Sequence, residues 1–189
     1  MPLLSTDVRE LLIREQQVYP MDLSGHFLSH MVVSNKLWDH LALCGCTWNS
    51  LQLTDSSLGS CKFRRAFWEQ LSWINTNGEY LDFANADIRN GAISRSEFSC
   101  SNFEGTNFKN VVLRGVKFFD CVFIRSCMYG ISFRNCEFSG CRFADMDWEC
   151  VTFDECGFVG CGNLRNLGMG SRFANVRITN QGCEPLHWN

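Results

Sequence analysis

The chain has 189 residues, 46% of them hydrophobic, with 17 basic against 20 acidic side chains and a formal net charge of -3. That length holds one domain with a sizeable core, and that balance points to neither a nucleic-acid binder nor an acidic tail. Twelve cysteines would suit a disulfide scaffold in a short secreted chain, but Met1 to Asp7 lacks a basic segment followed by an apolar one. The thiols are therefore expected to be reduced in a cytoplasmic protein, with signal-peptide-independent export left open, and no run of eighteen apolar residues predicts a membrane span.

Residues 1–20 read as a helical cap. Asp7 followed by Glu10 marks an N-capped helix, and Val8, Leu11 and Leu12 give it an apolar stripe, with Val18 beyond. Such a helix is expected to cover the open edge of the repeat that follows, because an unpaired edge invites association and solenoids need capping units.

Residues 21–180 follow a period of five. Of the 32 positions taken every fifth residue from Leu23 to Ile178, 29 are Leu, Ile, Val, Met, Phe or Trp, where about 15 would follow from composition alone. The exceptions are Gly78, Asn163 and Gly168, and 13 of the 16 Phe lie on this register. Two residues earlier stands a small or compact side chain, as in Cys46, Ser56, Ala66, Thr76, Ser96, Ser101, Thr106, Cys121, Cys136, Cys141, Cys156 and Cys161. Two residues later Gly or Asn recurs, as in Gly25, Asn75, Asn90, Gly105 and Gly130, the residue types that tolerate positive φ.

A period of five fits neither the 3.6 of a helix nor the 2.0 of a half-exposed strand, so the chain must turn a corner every five residues. The small and large positions, two apart, both face inward, and the others face solvent or form the corner. Stacked turns pair their backbones above and below, which excludes proline. Pro2, Pro20 and Pro185 all lie outside residues 21–180.

Units such as Ala86-Asp87-Ile88-Arg89-Asn90, Ser101-Asn102-Phe103-Glu104-Gly105 and Cys141-Arg142-Phe143-Ala144-Asp145 resemble the pentapeptide-repeat family. The resemblance implies an all-β fold, a right-handed quadrilateral β-helix of 20 residues per coil and about eight coils. It also implies a non-enzymatic binding protein without cofactor, direct nucleic-acid contact or membrane span. Met21, His26, Met31, Lys36 and Leu41 occupy early small positions, which predicts a distorted first coil. Residues 181–189 form a tail in which Leu186 and Trp188 either fold over the last coil or leave it to a partner, another copy included, as a homodimer.

With 20 residues per coil, Cys121, Cys141 and Cys161 stack, as do Cys136 and Cys156, but parallel side chains suit neither tetrahedral zinc nor disulfides. They read as apolar filler, and His26, His30, His40 and His187 match no catalytic or ligand spacing. Asp145, Asp147, Glu149, Asp154 and Glu155 are expected to gather around one corner as an exposed acidic patch.

Known members of the family that mimic DNA, bind type II topoisomerases and protect them from quinolones need a strongly negative surface. Residues 21–180 carry 16 acidic and 15 basic side chains. The first face, through Phe63 and Phe143, holds six basic and four acidic groups, and the second, through Trp68 and Trp148, two and four. The third, through Leu113 and Phe133, holds four and three, and the fourth, through Phe118 and Phe138, three and five. No face is an acidic stripe, which favours a rigid protein-binding scaffold over gyrase or topoisomerase IV binding. Its candidate contacts are Phe27, Phe67 and Tyr129 on the second face, and Tyr80 and Phe119 on the fourth.

Overall fold

The backbone turns where the five-residue period demands. In the computed structural model, which describes residues 4–164 and 171–179, every fifth residue from Gly25 to Gly160 has φ between +48° and +76°. Glycine and asparagine suit that left-handed conformation, but Arg65, Gln70, Tyr80 and Arg95 adopt it too, at roughly 1 kcal/mol each. What compensates is the stack: the corner N–H donates to a carbonyl of the next coil, Tyr80 to Ser99 and Arg95 to Arg114, both at 3.0 Å.

All pairing is parallel with a shift of 20. Gln17 pairs with Leu37, Trp48 with Trp68, Leu113 with Phe133 and Phe138 with Phe158. The result is an all-β four-sided parallel solenoid of about eight coils with one short helix among the described residues, about 38 Å long at a strand spacing of about 4.8 Å. The fourth face is one sheet from Gln17–Val18 to Arg177–Thr179. A second sheet wraps the second and third faces, because Phe27–Ser34 and Thr47–Thr54 run unbroken through their shared corner. The first face is held by Met21–Asp22 on Leu41–Ala42, then by single bridges from Ala42 to Gly162.

Inward, the large positions stack as columns. Phe63, Phe83, Phe103, Phe123 and Phe143 lie 4.9–5.2 Å apart between centroids, and Phe98, Phe118, Phe138 and Phe158 form a second column. The first coil is not distorted in its pairing. Met31 and Leu41 are buried at small positions beside Val33 and Leu43, so two medium side chains replace a small and a large one at similar volume.

The hydroxyls at small positions have a second role. The N–H of Lys36 donates to Ser56 Oγ, that of Ser56 to Thr76 Oγ1 and that of Thr76 to Ser96 Oγ, at 3.0–3.1 Å. Each hydroxyl in turn donates to the carbonyl two residues before it, Ser56 to Thr54 and Thr76 to Ile74. Thiols reach carbonyls too, both two residues back, Cys121 to Phe119 at 3.4 Å and Cys141 to Ser139 at 3.6 Å, and on the preceding coil, Cys121 to Phe98 and Cys141 to Phe118, both at 3.4 Å, so they add a weak polar contact to their role as filler.

Helix α1, Ser5–Arg14, lies on the first coil with Val8 and Leu12 fully buried. It starts before Asp7, whose carboxylate instead accepts the N–H of the N-cap residue Leu4 at 3.2 Å. The helix satisfies edge groups directly: Arg9 donates to the His30 carbonyl, and Ser5 Oγ accepts the Phe27 N–H. Lys36 closes the other end, its Nζ donating to the Arg14 carbonyl at 3.1 Å. Gln17–Val18 already forms the first rung, with Val18 buried, so the stack starts inside the segment read as cap. Near the other end the period slips locally: Asn163 takes φ +60° and Leu164 is buried, before Ser171 resumes register with Val151.

Candidate protein-interaction surface

Two outward residues flank each inward large one, so a face displays two columns of side chains per coil. On the second face, Phe27 is 58% exposed and Tyr129 42%. Phe67 is half-buried, contrary to the sequence expectation of an open anchor, because the Arg89 guanidinium sits 5.3 Å from its ring centroid. Arg89 also pairs with Asp87, and Lys109 Nζ lies 5.5 Å over the Tyr129 ring. Tyr80 stands exposed at the corner after the fourth face, while Phe119 on that face is half-buried. The five aromatics thus do not form one patch.

The acidic residues do not converge on one corner either. Asp147 and Glu149 flank Trp148 on the second face, whereas Asp154 and Glu155 lie at the far side of the third, and Asp145 forms the corner before the second. Positions flanking a register residue and positions at corners project in different directions, which separates them. Among the described residues no three His, Cys, Asp or Glu side chains lie close enough to hold a metal ion, and no helix is long and apolar enough to cross a membrane. Leu186 and Trp188 lie outside the described residues.

Cys61, Cys136 and Cys141 are poor nucleophiles. Burial pushes the Cys61 thiol up to about 12, and the Cys141 thiol reaches about 12 through its hydrogen bond with Cys121 and its burial. Cys136 is raised as well, by its hydrogen bond with Cys156 and by burial. Cys100, Cys127 and Cys150 are the exposed free thiols among the described residues.

Two features escaped the sequence reading. Val32 and Leu37 are exposed, 60% and 47%, at the outward position just before a register residue. Reading outward positions face by face would have shown them. The face-by-face charge count puts Arg114, Arg134 and Arg172 on the third face but does not show the open depression of about 550 Å³ that they line there with Ser132, Thr152 and Asp154. A second depression, about 760 Å³, crosses the corner to the fourth face and mixes Lys117 and Arg177 with Glu137 and Glu155.

Residues 96–135 match the family model for pentapeptide repeats in 8 copies. Two trypsin-treated forms of QnrB1, a plasmid-mediated fluoroquinolone resistance protein, have the same fold, with TM-scores of 0.68 and 0.67. Both are 18% identical to this chain, over 88% of it and 86% of theirs. No curated protein matches.

Proposed function

We propose that this chain, a pentapeptide-repeat protein with the right-handed quadrilateral β-helix of that family, works as a rigid, non-enzymatic scaffold that binds a protein partner on one flat wall. The observation that carries this reading is the division of labour in each unit. Inward positions are spent on stacked aromatics and satisfied hydroxyls, which fix the backbone, while paired outward positions are free to vary. A surface fixed in this way loses little freedom on binding.

Photo-crosslinking residues placed singly on each face, at Ala84, Asn107, Ser72 and Ser99, test this in the native host. Recurrent adducts to one protein from a single face or corner are expected. Equal, diffuse labelling from all four would sink the scaffold reading.

A second reading, binding of gyrase or topoisomerase IV by DNA mimicry, draws on the shared fold with a fluoroquinolone resistance protein. The near balance of 16 acidic and 15 basic side chains in residues 21–180 weighs against it. A supercoiling assay with and without a fluoroquinolone separates the two: neither inhibition nor protection at micromolar protein removes the mimic.

A further inference from the structure

The third face is divided along its length. From Val32 to Val112 none of its outward residues between corners is charged, Ser72, Ile74, Ala92 and Ser94 being typical. Above them stand Arg114, Arg134 and Arg172, with Asp154 as the one acid. Arg114 and Arg134 are partners in adjacent coils, so their side chains leave the wall in parallel about 4.8 Å apart, and like charges in that position repel. Asp154 relieves Arg134 in part, at 3.7 Å. Arg114 and Arg172 have no ion pair among the described residues. Three guanidiniums and one carboxylate leave an excess of two positive charges around one depression.

We propose that the third face is the docking wall and that its occupant is a protein segment in which an uncharged stretch leads into clustered carboxylates, the carboxylates seated on Arg114, Arg134 and Arg172. Guanidinium forks bind carboxylates in bidentate fashion, and Ser132 and Thr152 add hydroxyl donors between them. Arg114 and Arg172 stand three coils apart, about 14 Å, a span that suits carboxylates spaced along a chain better than a single phosphate group. The uncharged wall below takes the rest of the segment with no charge to desolvate, and the continuous second sheet keeps it rigid. This inference rests on the scaffold reading and adds the face and the chemistry of the partner.

The test uses the full chain and a fluorescein-labelled hexaglutamate peptide, followed by anisotropy at low salt. Arg114→Glu and Arg172→Glu are expected to weaken binding about tenfold, and Arg142→Glu, an exposed arginine of the first face with the same change in net charge, by less than about twofold. All three side chains are exposed, so the variants keep the fold, which far-UV circular dichroism verifies. No peptide binding, an equal loss with Arg142→Glu, or tighter binding of inorganic phosphate or a thymidine decanucleotide to the same arginines would each overturn the proposal. Host crosslinks arising only from another face would overturn it while leaving the scaffold reading intact.

Discussion

Thr76 shows how much one small inward side chain does in this fold. It accepts the Ser56 N–H, donates to the Ile74 carbonyl and passes its own N–H to Ser96. Thr76→Val keeps the shape and leaves the Ser56 N–H buried without an acceptor, so it should cost about 1–3 kcal/mol in urea unfolding, with Thr76→Ser close to the parent. Equal stability of Val and Ser would show that the ladder contributes nothing. The sequence made the position legible as small, but the ladder depends on which residue stands 20 further on, and that follows only from the coil length. The same holds for Phe67: its place off the register says outward, and only the stacking brings Arg89 over the ring.

Thiols at the same position give the protein a pH dependence. Cys61 and Cys141, raised to about 12 from 9.0, keep in the folded state protons that the unfolded chain releases. Their contribution is therefore complete below about pH 9 and is lost between about pH 9 and 12, at about 1.4 kcal/mol per pH unit for each thiol. Urea midpoints measured from pH 7 to 11 should fall on the alkaline side, and less steeply in Cys61→Ala/Cys141→Ala. An unchanged slope in the double variant would assign the loss to other groups.

At the scale of the unit, the break in period at Gly78 is a local exchange rather than a gap. A Cβ at Gly78 would run into the Leu81 side chain, and Leu81 is buried at what should be a small position. Small and large have swapped places within two neighbouring units, at the site where Trp73 also turns its indole N–H to the Thr76 carbonyl at 2.9 Å. Gly78→Leu alone should destabilise by about 1–3 kcal/mol through overpacking, and Leu81→Ala in the same chain should recover part of it. Strictly additive losses would mean that the two sites do not share space. The sequence flags Gly78 as an exception but not its compensation, which is a matter of side-chain reach across the corner. The helix is the opposite case. Its apolar stripe was legible, whereas its docking through the His30 carbonyl, the Phe27 N–H and Lys36 was not, because those partners lie 21 or 22 residues away.

Two periods govern the whole molecule, five for what points inward and twenty for what lies above what. They can be separated by deletion. Removing residues 106–125 takes out one full coil and returns every column to its own kind, with Phe103 under Phe143 and Ser94 under Arg134. Removing residues 106–110 keeps the five-residue register of large positions but turns everything above by one face. Phe103 then stacks on Met128, and Arg114, Arg134 and Arg172 move from the third face to the second. Solenoid stability is a sum of units and nearest-neighbour interfaces, so the coil deletion should unfold in one transition at a lower midpoint. The shorter deletion, with one mismatched interface across all four faces, should unfold in two. It also separates the arginine cluster, with Val112, from the uncharged wall up to Ser94. Hexaglutamate should still bind it, since the cluster moves as a body, while crosslinks from Ser72 to a host partner should disappear. Crosslinks that persist would mean that the lower wall alone selects the partner and the arginines play no part in that choice.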